Sequence, residues 1–84
     1  MEDWQFEILD ELYFVTGYEE LEDKLPDLKS NLRIYLEDLW HQGWVKIIDR
    51  QTEEEIFDLN KFDLTYKEYN YLATKAGLMA HNSR

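Results

Sequence analysis

The chain has no cysteine, which excludes a disulfide framework and a thiolate metal site and fits a reducing compartment. It has one proline and three glycines, too few for a glycine-rich phosphate loop or a low-complexity linker. Its longest unbroken apolar run, Leu12 to Val15, falls far below the roughly 20 residues of a membrane-spanning helix. Bases are scarce as well: nine Lys and Arg stand against nineteen Asp and Glu, for a net charge of −10. Where that excess is concentrated it repels nucleic acid, while a neutral stretch neither repels nor attracts it. The opening MEDWQFE is acidic where a secretory signal needs positive charge, so no such signal is expected and the cytoplasm is the expected location.

Catalytic chemistry is equally thin. His41 and His81 are the only histidines, and neither has a histidine at helical spacing to share a zinc ion. Asp38 precedes His41 by one turn, but no cysteine or clear serine nucleophile completes a relay. Asp58-Leu59-Asn60 begins like a calcium loop. Phe62 then falls on a ligand position, Asp63 where glycine is needed and Tyr69 where a bidentate Glu belongs. No enzyme, metal or cofactor is expected.

What the sequence does have is large rings, with three Trp, six Tyr and four Phe in 84 residues. Such rings raise the apolar area a single small domain can bury. Charge is distributed unevenly. Residues 1–26 carry nine acids and one base, residues 27–50 four of each, and residues 51–84 six acids and four bases. The acidic excess is therefore concentrated at the front. It reads either as a solvated face or as a docking surface for a basic partner.

The stretch Leu28–Val45 organises the rest. Leu32, Leu36 and Leu39 recur at spacings of four and three, extended by Leu28 and Tyr35, which is one apolar stripe on a helix. Gly43 is placed to end that helix with positive φ. Trp44, Val45, Ile47 and Ile48 then switch the chain to strand chemistry. Upstream, Asp3 is the expected cap of a first helix from Trp4 to about Phe14. Thr16 to Glu19 has the capping-box form and predicts the start of a second helix, with Tyr18, Leu21 and Leu25 inward, stopped by Pro26. Downstream, Arg50–Glu54 predicts a loose hairpin tip and Glu55–Leu59 the returning strand, with Ile56 and Phe57 near Trp44. A second capping-box pattern, Thr65 to Glu68, predicts a last helix with Tyr69, Leu72, Ala73 and Ala76 on one face and Gly77 near its end. His81–Arg84 reads as a frayed tail.

This order, with the ending L-x-x-L-x-x-x-G-W-V (Leu36, Leu39, Gly43, Trp44, Val45), resembles the winged helix-turn-helix superfamily. The Leu64-Thr65 step is similar to the one that follows the wing in MarR- and PadR-like regulators. The resemblance implies an α+β, mostly α fold for residues 1–84: three helices, a two-stranded β wing and a C-terminal helix. It also implies that Lys29, Ser30, Asn31, Arg33 and Ile34 face outward early in the third helix. In such regulators that face reads the major groove, where Arg matches guanine and Asn adenine, while Lys46 and Arg50 would reach phosphates from the wing. The neutral charge there and the acids Glu53, Glu54 and Glu55 on the wing depart from the pattern. The preferred expectation is thus a regulatory module that binds a protein. The alternatives are a DNA-binding transcriptional regulator and an acidic inhibitor that mimics nucleic acid. Tyr66 and Tyr71 fall off the last helix's stripe and are expected at a partner or dimer surface, with monomer and homodimer both open.

Overall fold

Helix α3, Leu32–His41, puts Leu32, Leu36 and Leu39 at zero exposure. The spacing in the sequence is the reason: three and four residues return each leucine to the same side of a 3.6-residue turn. The helix ends as Gly43 takes φ +77°. The Gly43 amide donates to the Trp40 carbonyl at 2.9 Å and the Trp44 amide to the Leu39 carbonyl at 3.0 Å. That pair of bonds is a Schellman closure, which satisfies carbonyls the helix leaves open and needs a left-handed residue at Gly43. The chain leaves directly into strand β2, Val45–Asp49, in which Val45 and Ile47 point inward. The stretch ahead of α3 is not α-helical as the leucine stripe had suggested. Pro26–Asn31 is a 3₁₀ segment begun by the proline, and α3 starts only at Leu32.

The computed structural model describes residues 1–83. It is an α+β fold with more helix than strand: five α-helices and a four-stranded antiparallel sheet among the described residues. Helix α1 (Asp3–Glu11) leads to strand β1 (Thr16–Gly17), then α2 (Tyr18–Lys24), α3 and β2. Next come β3 (Glu55–Ile56), a single turn α4 (Phe62–Thr65), β4 (Tyr69–Ala73) and α5 (Lys75–Asn82). The strand order in space is β1-β4-β2-β3. β4 is thus interior, pairing Tyr71 with Thr16 on one side and with Ile47 on the other. The core lies between one face of this sheet and helices α1, α2 and α3, with Ile8, Leu9, Leu12, Leu21 and Phe62 completing it.

Several expectations are overturned by these contacts. Helix α1 stops at Glu11 rather than near Phe14, and its cap is Glu2, whose amide donates to Gln5 Oε1 at 2.8 Å. Thr16 does not cap α2. It belongs to β1, and its hydroxyl donates back to the Phe14 carbonyl at 2.8 Å, which leaves Gly17 as the cap residue. Thr65 starts no α-helix either: it closes α4, donating to the Lys61 carbonyl at 2.8 Å, and only a 3₁₀ turn, Tyr66–Glu68, follows it. The expected last helix is then strand from Tyr69 to Ala73 and becomes α-helix only at Lys75. Thr74 makes that switch, accepting from the Gly77 amide at 3.1 Å and donating to the Gly43 carbonyl at 2.6 Å. The sheet accordingly has four strands where a two-stranded ribbon was expected. Phe57 does not pack near Trp44 but stands 75% exposed.

The end of the chain is packed as well. The His81 ring stacks on Phe6 with centroids 4.2 Å apart. Its Nε2 lies 3.1 Å from Asp10 and its Nδ1 2.9 Å from the Tyr13 hydroxyl, which ties α5 to α1. Of the expected frayed tail, Arg84 lies outside the described residues.

Candidate functional site

The residues singled out for macromolecule binding fall into two groups. Lys29, Ser30 and Asn31 are exposed on the 3₁₀ segment that leads into α3. Neither Lys29 nor Lys46 has an ion-pair partner among the described residues. Lys46 is half-buried on β2 across from Leu72, on the sheet face turned away from the core.

The two arginines differ from these. Arg33 Nη1 donates to Asp63 Oδ1 at 2.6 Å and lies 3.9 Å from Glu37, with its guanidinium 6.0 Å from the centre of the Tyr66 ring. Arg50 Nη2 donates to Glu19 at 2.8 Å and its Nε to Asn70 at 3.0 Å. The tertiary fold brings Asp63 to Arg33 and Glu19 to Arg50 from about thirty residues away, whereas Glu37 is one turn along α3 from Arg33. No short-range pattern around Arg33 or Arg50 announces Asp63 or Glu19, and these are the partners that sequence reasoning missed. Gly17 helps, since a Cβ there would stand 2.7 Å from Arg50 Nη2. A side chain at that position would displace the guanidinium from Glu19.

The Arg50 guanidinium holds the Glu19 carboxyl below its usual range. The amides of Thr52 and Gln51 do the same for Asp49 at the start of the turn between β2 and β3. A lowered carboxyl contributes stability that is present above its unfolded value of about 4 and is lost as pH falls through the folded value. Arg50→Ala is therefore expected to flatten the acid limb of a stability-against-pH curve, measured by urea unfolding between about pH 5 and pH 3. Because the Glu19–Arg50 pair is exposed, its loss at neutral pH is expected to stay within about 1 kcal/mol. An acid limb identical to wild type would show that the pair contributes nothing to folding.

Tyr66 and Tyr71 do not form a shared surface. Tyr71 is fully buried at the centre of the sheet and donates from its hydroxyl to the Tyr66 carbonyl at 2.6 Å. Its place on the interior strand β4 is the physical reason, and burial raises its pKa. Tyr66 is half-buried, packed edge-on against Tyr18 at 4.8 Å. Burial likewise pushes the Tyr18 hydroxyl up to about 12. These rings are core and core-rim, leaving the open part of the candidate surface to the 3₁₀ segment and the β2–β3 hairpin.

On the β2–β3 hairpin and the residues just after it, Glu53, Glu54, Glu55 and Asp58 are exposed, as is Phe57. His41 is exposed and lies 3.8 Å from Glu37, not against Asp38. Among the described residues no group of three His, Cys, Asp or Glu side chains converges in a metal-binding arrangement. No helix of the described residues is long and apolar enough to cross a membrane. Comparison with known protein families, with curated proteins and with solved structures finds no match for this chain.

Proposed function

We propose that this chain is a small acidic winged-helix module that binds another protein and performs no chemistry. The element order supports the winged-helix reading. A short strand lies between the first and second helices, and β1, β4 and β2 are adjacent in one antiparallel sheet. The long connection from β2 to β4 holds the acidic wing. A cytoplasmic, regulatory setting and a need for no cofactor belong to the same proposal.

The observation that carries the choice of partner is the engagement of both arginines. Non-specific affinity for duplex DNA comes from several cations that each neutralise a phosphate. Here Arg33 and Arg50 are already neutralised by Asp63 and Glu19, and a phosphate would have to displace a carboxylate from each. Of the positions singled out for binding, that leaves Lys29 and Lys46, against the acids of the wing. The exposed Ser30 and Asn31 then serve as neutral polar contacts beside Lys29, which suits a protein surface.

The test is binding to random duplex DNA at about 50 mM salt, followed by fluorescence anisotropy. No binding below roughly 100 μM is expected, weaker than the usual non-specific range of about 10⁻⁴–10⁻⁶ M. Micromolar binding that weakens steeply with added salt would replace this reading with that of a DNA-binding regulator using Lys29, Asn31 and Arg33.

A further inference from the structure

The sheet ends at β3, which is hydrogen-bonded to β2 alone. Ile56 stands opposite Ile47, and the Asp49 amide donates to the Glu54 carbonyl at 2.9 Å. In an antiparallel ladder the residues alternate between turning their backbone groups toward the partner strand and away from it. Ile56 and the Glu54 carbonyl therefore face β2, the N–H and C=O of Glu55 face outward from the open edge, and Phe57 follows directly after the strand. Such an edge is a short template for one more strand.

Two features say what kind of strand would fit. The first is apolar. Phe57 is 75% exposed on this edge, and a groove of about 340 Å³ runs beside it, lined by Ile56, Phe57, Asp58, Lys61 and Tyr69 among others. The second is charge. Residues 51–60 hold Glu53, Glu54, Glu55 and Asp58 and no Lys or Arg; among the described residues Lys61 is the one base in the groove lining, against Glu55 and Asp58.

Charged residues on an edge commonly serve to repel unwanted pairing. Here the repulsion is one-sided. A second copy of this chain aligned on β3 would bring the same acids against these ones, which disfavours pairing with itself. A basic strand meets attraction instead.

We infer that β3 accepts an extended, basic segment of a partner protein as a fifth strand. Lys or Arg side chains of that segment meet Glu53, Glu55 and Asp58, and an apolar side chain lies against Phe57 and the groove. This inference rests on the protein-binding reading and names the surface and the chemistry of the partner.

The test uses the full chain and a synthetic octapeptide alternating lysine and valine, with amide chemical shifts read by NMR. Binding with a Kd below about 1 mM is expected, with the largest shifts at residues 54–58. The same peptide N-methylated at every residue keeps its charge and side chains but loses every amide donor, so neither of its edges can donate to β3. It is expected to bind at least about tenfold more weakly. Phe57→Ala, which removes an exposed ring and leaves the core untouched, is expected to weaken the unmethylated peptide by a similar factor. Equal binding by both peptides would reduce the contact to diffuse charge attraction and overturn the inference, as would no binding at all. Shifts confined to residues 29–31 would also overturn it, while leaving the protein-binding reading in place. Failure of that broader reading is reported separately by the duplex-DNA measurement.

Discussion

Gly77→Ala is expected to destabilise the chain by about 2 kcal/mol or more, in urea unfolding followed by tryptophan fluorescence. The sign is the informative part. Gly77 lies inside α5, where replacing glycine by alanine ordinarily gains about 1 kcal/mol through helix propensity. Here an added Cβ runs directly into the carbonyl oxygen of Trp44, and it would also stand 3.0 Å from that carbonyl's carbon and 3.2 Å from Leu9 Cδ2. The Trp44 carbonyl is not free to retreat, because it accepts the Thr74 amide at 2.9 Å, the bond that joins the end of α3 to the start of α5. Overpacking of this kind typically costs about 1–3 kcal/mol, occasionally more, and it outweighs the propensity gain. Ala76→Gly serves as the control. Ala76 is the exposed neighbour on the same helix, and losing its methyl is expected to cost only about 1 kcal/mol. A Gly77→Ala variant more stable than wild type would mean that α5 does not lie against Trp44.

That close approach also shows where the sequence could be read and where it could not. The α3 stripe was legible because three leucines at helical spacing admit one arrangement, and Gly43 because a helix running straight into a strand needs a left-handed residue. The segment after the β2–β3 hairpin was not legible, because Tyr69-Asn70-Tyr71-Leu72-Ala73 satisfies two periods at once. As a helix it aligns Tyr69, Leu72, Ala73 and Ala76. As a strand it alternates, with Tyr71 and Ala73 buried and Asn70 and Leu72 half-exposed. In so short a run, β-sheet partners decide the outcome, and those partners, Thr16 and Ile47, are far away in sequence. The two tyrosines were the available signal, since aromatic residues favour strands. The hydroxyl of Thr65 pointed the other way, because a capping-box pattern says nothing about whether the threonine caps forward or, as here, bonds back to Lys61. For the candidate site, Lys29, Ser30 and Asn31 were legible as polar residues ahead of an apolar stripe. The neutralisation of Arg33 and Arg50 was not, because it depends on carboxylates delivered by α4 and α2.

Tyr71→Ala is the substitution that separates the strand from the helix most sharply, with an expected loss of about 3–5 kcal/mol. Tyr71 is fully buried on the interior strand, within 6.4 Å of the Tyr18 ring and opposite Ile47. Removing the ring leaves a cavity between the sheet and α2 that side chains fixed by the backbone ladder cannot close. Small domains are held together by only about 5–15 kcal/mol, so this variant is expected near the limit of folding, and a gentler change is needed beside it. Tyr71→Phe keeps the ring and deletes only the hydroxyl that donates to the Tyr66 carbonyl at 2.6 Å. The carbonyl then loses a partner in a part-buried position, which is expected to cost about 1–2 kcal/mol with the denaturant slope unchanged. If Tyr71 were on an outward helix face, both changes would stay within about 0.5 kcal/mol, the scale of ordinary surface substitutions. Such a result would remove β4 from the middle of the sheet. The pairing of β2 with its neighbour, and the open edge at β3 beyond it, would then need a different account.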